Sequence, residues 1–239
     1  MPQNKVTILS TRAIDEAMIR EAAKENIVVE TTSFIQTEPI SSVEIQQEIE
    51  NALMLTTTVV FTSVNAVEAV AGELKGHQPD WQVFCIGHAT RHAVERYFGK
   101  NLIAGTGANA GELAGIITKT AHPDEVIFFC GDQRRNELID TLRSNDVDVN
   151  EVIVYQTIAV PHQLEKRYDG ILFFSPSAVQ SFFQKNKIDD QTVLFAIGNT
   201  TASELKNFTK NKIIVSSQPD TKYFLRNVIL YFQENPVHH

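Results

Sequence analysis

The chain has 239 residues, of which 43% are hydrophobic and 21% charged, and its formal net charge is −8. This composition is typical of a soluble globular protein, long enough to bury one large core or two cores of about 100–120 residues each. The negative charge argues against nonspecific binding to nucleic acid, and no apolar run approaches the ~20 residues of a membrane span. An anionic ligand would have to be held by local hydrogen-bond donors, because the overall field repels it.

Apolar and polar residues follow each other along the chain in the rhythm of strands and helices joined by short connections. Predicted strands cover residues 5–10, 27–35, 59–61, 82–87, 102–107, 125–130, 147–160, 170–174, 192–197 and 212–215. Predicted helices cover residues 15–26, 41–55, a segment up to 74, 90–98, 109–120, 134–144, 177–185, a segment from 201, and 221–235. Capping patterns at Ser41, Asn109 and Thr201 indicate three of the helix starts. The alternation predicts an α/β fold with parallel sheets.

The expected compartment is the cytoplasm. The first residues, MPQNKVTILSTR, lack the long apolar segment of a signal peptide. The sequence has two cysteines, Cys85 and Cys130, and both lie in apolar, strand-like runs. Two separate buried thiols favour a reducing environment without disulfides.

Two motifs recur in the same order and at nearly the same spacing. FTSVNAV at residues 61–67 is followed 112 residues later by FFSPSAV, counted from Ser63 to Ser175. VFCIGHAT at 83–90 is followed 111 residues later by LFAIGNTT, counted from Phe84 to Phe195. Such an ordered repeat predicts two domains of the same design.

The length of the chain after the second repeat limits where these domains can lie. About 70 residues follow position 170, too few for a complete domain. We therefore predict a discontinuous domain of residues 1–34 plus 160–239, and an inserted domain of residues 38–155. The chain must cross between them twice, and the β-rich runs at 31–38 and 152–161 are expected to form a two-stranded tether. A ligand is expected in a cleft between the two domains.

The repeated turns carry the first candidate binding residues. Each places hydroxyl groups where a strand ends and a helix begins, so that free backbone N–H groups and the helix dipole can hold an anion. The candidates are Thr62, Ser63, Asn65, Ser175, Ser177 and Thr201. The alternative is that such side chains only cap helices.

Glycines and arginines at other strand ends add further candidates. Gly87 and Gly198 permit close approach of a ligand to the backbone or a positive φ. Arg12 and Arg135 follow strands at equivalent places and could bind a carboxylate, or else lie solvated. Tyr155 lies in the predicted tether, where a phenol could donate a proton to a leaving group or serve only in packing. No metal-ligand spacing, phosphate loop or GxGxxG motif is present in the sequence, so we expect no metal site.

These motifs together resemble the uroporphyrinogen-III synthase family. The resemblance runs through FTSxNAV, IGxxT, GxxxRxxL, VYxT, FxSPSAV and IGxTT in that order, and includes Thr11-Arg12 after the first strand. It also brings in Gly131 and Thr200 as candidate substrate-binding residues. His88 and Asn199 stand where the family often has proline.

The resemblance implies a fold of two α/β domains joined by a β ladder, and a reaction that needs no cofactor. Hydroxymethylbilane loses its hydroxyl as water, the substituted carbon of ring D attacks, and a spiro intermediate recloses with ring D inverted to give uroporphyrinogen III. Tyr155 matches the tyrosine of VYxT and is the candidate acid. The implied partner is this tetrapyrrole alone, bound by a monomer that uses neither nucleic acid nor membrane. A noncatalytic two-lobed binder of a small anion is the alternative, and a nucleotide-dependent enzyme is disfavoured.

Overall fold

A computed structural model describes residues 5–237, which form alternating strands and helices. The strands are β1 Val6–Ser10, β2 Ile27–Thr31, β3 Ile35–Pro39, β4 Thr57–Phe61, β5 Trp81–Ile86, β6 Ile103–Gly107, β7 Glu125–Gly131, β8 Asp148–Ala159, β9 Gly170–Phe173, β10 Val193–Ala196 and β11 Ile213–Val215. The helices are α1 Glu16–Lys24, α2 Val43–Leu53, α3 Val64–Leu74, α4 Gly87–Tyr97, α5 Ala110–Thr120, α6 Glu137–Arg143, α7 Pro176–Phe183, α8 Asn199–Phe208 and α9 Thr221–Glu234. A short 3₁₀ helix covers Lys100–Leu102. The predicted α/β class is confirmed.

The chain divides into two compact units, each with its own sheet. Unit 1 consists of Met1–Gln36 and Ile158–His239, and unit 2 of Thr37–Thr157. The ends of unit 1, residues 1–4 and 238–239, lie outside the described residues. The division falls one or two residues from each boundary expected from the sequence.

Unit 1 contains a five-stranded sheet in the order β11-β10-β9-β1-β2, with all neighbours parallel. Both faces of this sheet are buried, as parallel sheets require. Along β9, Ile171 and Phe173 pack into one apolar cluster and Leu172 into the cluster on the other face. This explains why the strand is a continuous apolar run in the sequence.

Unit 2 contains a six-stranded sheet in the order β3-β8-β7-β4-β5-β6. Neighbouring strands from β8 through β6 are parallel. Val59 and Phe61 of β4 face one apolar cluster and Val60 the other. Trp81 is 3% exposed, and its indole N–H donates to the carbonyl of Ala52 over 2.8 Å. Here too, helices cover both faces.

The chain passes between the units within β3 and β8, which are neighbours in the sheet. In unit 2, the amide of Ile40 donates to the carbonyl of Val154 over 2.9 Å. In unit 1, the amide of Val160 donates to the carbonyl of Phe34 over 2.9 Å. The pairing of the two crossing segments, expected from their β-branched composition, is confirmed.

Four helices begin two or three residues away from the predicted start. Helix α2 is capped by Ser42, whose hydroxyl accepts from the amide of Ile45 over 3.3 Å, and not by Ser41. Helix α4 begins three residues before the predicted start, at Gly87, and α8 two residues before, at Asn199. Helix α6 begins three residues after the predicted start, so Arg134 and Arg135 lie in a loop. The cap predicted at Asn109 is confirmed, since its side chain accepts from the amide of Glu112 over 2.9 Å.

Two features are absent from residues 5–237. None of the helices described there is long and apolar enough to cross a bilayer. The same residues contain no group of three or more His, Cys, Asp or Glu side chains placed to hold a metal ion.

Candidate active site

The two sheets share one strand order when the repeated motifs are matched. The repeat equates β9 with β4 and β10 with β5. Reading outwards from these pairs, β1 then corresponds to β7, β2 to β8 and β11 to β6. The strands have the same spatial order in both units but a permuted order along the chain, because β1 and β2 come first in unit 1. Thr11 and Arg12, which follow β1 in unit 1, therefore correspond in position to the loop that follows β7 in unit 2.

Each sheet has one point where successive connections run in opposite directions. This point lies between β1 and β9 in unit 1, and between β4 and β7 in unit 2. Open α/β sheets bind ligands beyond the carboxyl ends of the strands at such a point. The candidates at the ends of these strands or in the turns after them are Arg12, Ser175 and Ser177 in unit 1, and Thr62, Ser63, Asn65, Gly131 and Arg135 in unit 2. The structure thus places most of the predicted residues where such sheets bind ligands.

Ser63 and Ser175 are both helix caps, which is the alternative that the sequence left open. The Ser63 hydroxyl accepts from the amide of Ala66 over 3.2 Å, and the Ser175 hydroxyl from the amide of Ala178 over 3.1 Å. Each oxygen accepts one bond and keeps its own proton to donate. Capping is therefore compatible with a hydrogen bond to a bound anion.

Three neighbouring side chains of these caps are half-buried and make no hydrogen bond within residues 5–237. They are Thr62, Asn65 and Ser177. Their free donors at the start of α3 and α7 add to the unpaired N–H groups of the first helical turn. Both helix starts are consequently rich in donors for a negatively charged group.

Arg12 lies across the switch point of unit 1. Its guanidinium carbon is 4.1 Å from the centre of the Phe174 ring, and its Nη2 donates to the hydroxyl of Thr221 at the start of α9. Partial desolvation in this position lowers the pKa of Arg12, although an arginine remains charged at neutral pH. The neighbouring Thr11 is buried and donates to the carbonyl of Leu172 over 2.8 Å, which fastens the end of β1 to β9.

Tyr155 lies beside the end of β7, the strand on one side of the switch point of unit 2. Its half-buried ring packs against the apolar cluster of Val59 and Phe61. A Cβ atom on Gly131 would be 2.7 Å from the Tyr155 hydroxyl oxygen and closer still to two ring carbons. The ring therefore lies directly on the glycine at the end of β7. Its hydroxyl makes no hydrogen bond to any residue that the structure describes, so it is free to donate to a ligand.

The loop after β7 presents one paired and one unpaired arginine. Arg134 donates from Nε to Glu151 over 2.6 Å. Arg135 is exposed and makes no ion pair or hydrogen bond within the described part of the chain. Arg135, the predicted residue, is thus the guanidinium of this loop that is available to a carboxylate.

The IGHAT and IGNTT turns differ from the expectation in one respect. Gly87 has a φ of +74°, which favours glycine, whereas Gly198 has an extended backbone with a φ of −172°. Thr200 is exposed in the first turn of α8. Thr201 is only 1% exposed and does not cap the helix, because α8 begins at Asn199 with Gly198 at its N-cap position. Contact of Thr201 with a substrate would require the helix start to move.

Two residues that contact Arg12 were not identified from the sequence. Phe174 supports the Arg12 guanidinium, and Thr221 accepts its hydrogen bond. Thr221 follows Asp220, whose side chain caps α9 by accepting from the amide of Tyr223 over 2.8 Å. The Asp-Thr pair was a local signal of that helix start, but its proximity to Arg12 was not.

The fold and these residues define a class of α/β protein with two units whose strands are connected in permuted order. Each unit has helix caps and a cation at its own switch point. These donors and cations are suited to a polyanionic ligand. Comparison with known proteins identifies the family. Residues 16–225 match the family described as uroporphyrinogen-III synthase HemD, and the chain belongs to this family.

Individual relatives agree with this assignment. The chain is 27% identical to the uroporphyrinogen-III synthase of Saccharomyces cerevisiae, over 77% of this chain and 79% of that protein. Its fold matches the uroporphyrinogen-III synthetase of Helicobacter pylori with a TM-score of 0.64, at 14% identity over 95% of this chain and 99% of that one. A mutant uroporphyrinogen III synthase of Thermus thermophilus matches with a TM-score of 0.61, at 14% identity over 96% and 100% of the two chains. At this identity the two structures support the fold alone.

Proposed function

We propose that this protein cyclises hydroxymethylbilane to uroporphyrinogen III, with loss of water and inversion of ring D through a spiro intermediate. The observation that carries the proposal is the match of residues 16–225 to the synthase family. The placement of Tyr155 over Gly131 adds support, because it provides a free phenol where an α/β sheet binds its ligand. The substrate class is a linear tetrapyrrole of this biosynthetic route.

Binding would depend on local donors. The substrate carries eight carboxylates, and the chain has a net charge of −8, so the long-range field opposes their encounter. Arg12 in unit 1 and Arg135 in unit 2 supply one cation at each switch point. The caps at Ser63 and Ser175 supply hydroxyls and helix N-termini. Gly87, Gly198 and Thr200 would add contacts from the neighbouring strand ends, and Thr201 would do so only after a local rearrangement. We propose that the two units act as two domains.

Tyr155 would assist departure of the substrate hydroxyl. Its phenol donates a proton as the carbon–oxygen bond breaks, so the hydroxyl leaves as water, and a phenolate and a protonated azafulvene remain. The substituted carbon of ring D then attacks this electrophile to form the spiro intermediate. The electrons come from the pyrrole itself, and the protein mainly folds the chain so that the reacting carbons meet. Positioning of this kind can supply about 7–11 kcal/mol of the barrier.

The test is the isomer formed from hydroxymethylbilane. The purified protein is mixed with this substrate, and the porphyrins are separated after oxidation. Formation of the type III isomer above the spontaneous background supports the proposal. Formation of the type I isomer alone would refute it and would leave a noncatalytic binder of anions.

Oligomeric state and location are also proposals. We propose a monomer in the cytoplasm that binds neither nucleic acid nor membrane, based on the acidic composition and the two buried free cysteines, Cys85 and Cys130. Sedimentation of the purified protein tests the first point.

A further inference from the structure

A β-bulge determines the direction in which Tyr155 points. Strands β7 and β8 pair regularly up to Cys130 opposite Ile153, but Gly131 then lies opposite Tyr155, which leaves Val154 as the extra residue. Val152 and Val154 belong to one apolar cluster, as the alternation of a strand requires. Tyr155 is the next residue, yet it packs against that same cluster. The bulge therefore directs the Tyr155 side chain to the same face of the sheet as Val154, whereas in a regular strand it would point to the opposite face.

Asp132 holds the bulged segment by bonds on either side of Gln156. Its amide donates to the carbonyl of Tyr155 over 3.2 Å. Its carboxylate Oδ1 accepts from the amide of Thr157 over 3.0 Å. One residue after β7 thus fixes the backbone of the tyrosine and of the residue two positions later.

Gly131 provides the space for the ring. Any Cβ atom there would overlap the phenol, with the hydroxyl oxygen 2.7 Å away. The φ of Gly131 is not positive, so the requirement is for room and not for an unusual backbone angle. Gly131 and Asp132 are adjacent and both act on Tyr155. Gly131 makes room for its ring, and Asp132 holds its main chain.

We propose that Asp132 is a positioning residue of the reaction, which acts by holding Tyr155 at the bulge with its hydroxyl over Gly131. The proposal rests on the proposed function, in which Tyr155 is the proton donor. The carboxylate itself has the wrong charge to bind a polycarboxylate substrate. Its role is therefore exerted through the backbone bond to Thr157.

The principal test is a double-mutant cycle with Tyr155. Asp132→Ala removes the acceptor for the Thr157 amide and is expected to lower kcat by about 10- to 100-fold with little change in KM, because small misplacements of a reacting group cost this much. Asp132→Asn keeps an oxygen acceptor and is expected to retain most of kcat. In a Tyr155→Phe background, Asp132→Ala is expected to have no further effect on kcat, because the group that it positions is already absent.

Matched controls separate positioning from general damage. Asp169 likewise accepts from a distant amide, that of Thr7 over 2.7 Å, but it lies at the amino end of β9. Asp169→Ala is expected to leave kcat unchanged below its melting temperature. Gly131→Ala is expected to lower kcat at least as much as Asp132→Ala does. Gly115→Ala in α5, where an added Cβ meets nothing within 4 Å, is expected to have no effect on kcat.

A second readout does not depend on turnover. In protein labelled with ¹³C-tyrosine, the ring signal of Tyr155 is assigned by its loss in Tyr155→Phe. Asp132→Ala is expected to shift this signal and leave those of the other four of the five tyrosines in place. Asp132→Asn is expected to leave all of them in place.

Each outcome either supports or overturns the positioning role of Asp132. An equal loss of kcat from Asp132→Ala with and without the Tyr155 hydroxyl overturns the positioning role, as does an unchanged kcat or an unshifted Tyr155 signal. If the wild-type protein yields only the type I isomer, the proposed function fails and this role fails with it. Type III product with an additive cycle refutes the positioning role alone.

Discussion

Replacing Arg12 by alanine is expected to weaken substrate binding more than it lowers stability. The guanidinium lies 4.1 Å from the Phe174 ring centre and bonds to the Thr221 hydroxyl, but the residue as a whole is exposed. An exposed cation–π contact contributes about 0.5–1 kcal/mol, and a net hydrogen bond about 0.5–1.5 kcal/mol. The free energy of unfolding should therefore fall by about 1–2.5 kcal/mol.

The effect on binding should be larger. A hydrogen bond to a charged partner contributes about 1.5–3 kcal/mol. Since 1.4 kcal/mol corresponds to a factor of ten, KM for hydroxymethylbilane should rise about 10- to 150-fold. Arg12→Lys should recover part of this, because it keeps the charge but loses the planar fork that binds a carboxylate at two points.

Initial rates of type III formation against substrate concentration measure the change in KM, and urea unfolding measures the change in stability. Arg20→Ala is the matched control, because Arg20 is an exposed arginine of the same unit that pairs with Glu16 over 3.2 Å. Its KM should equal that of the wild type. If Arg12→Ala also left KM unchanged, Arg12 would not contact the substrate, and the reasoning from the switch point of unit 1 would be wrong.

Three further predictions concern other residues. Tyr155→Phe should lower kcat about 100-fold or more without abolishing type III formation, at unchanged stability, since the hydroxyl has no partner within residues 5–237; a wild-type kcat would remove it from the mechanism. A hydrogen bond from Lys166 is the main cause that lowers the pKa of Glu30. The ionised Glu30 carboxylate therefore stabilises the fold above the unfolded pKa of about 4.3, and this contribution is lost as the pH falls through the folded pKa. The difference in urea midpoint between wild type and Glu30→Gln should thus shrink in acid, and a difference independent of pH would contradict this. Burial raises the pKa of Cys85 to about 11 and that of Cys130 to about 12, so neither should react with a thiol reagent at neutral pH until the protein unfolds; reaction of the native protein at the rate of a free thiol would count against the buried placement.

The parts of the site that depend on a few consecutive residues could be predicted from the sequence. Ser63 and Ser175 cap their helices through a hydrogen bond that spans three residues, and the signal for it lies wholly within each motif. The apolar runs of β4 and β9 likewise indicated strands buried on both faces. The repeat between these motifs then indicated two units of one design.

Helix starts were less predictable where no side chain caps the helix. Gly198 caps α8 without a side-chain hydrogen bond, so the threonine pattern at Thr201 pointed to the wrong residue, and that threonine is buried. Helix α6 begins after Arg135 and not before it. A hydroxyl followed by a glutamate is a sufficient signal only when no alternative cap lies nearby.

The sequence by itself determined the alternation of strands and helices, the paired caps and the two crossing segments, because each depends on neighbours along the chain. The tertiary structure alone decided which side chains meet at each switch point. Arg12 reaches Thr221 across a separation of 209 residues. Tyr155 lies on Gly131 because a bulge shifts the register of two strands. Strand register is set by hydrogen bonds between distant segments, and no local period in the sequence records it.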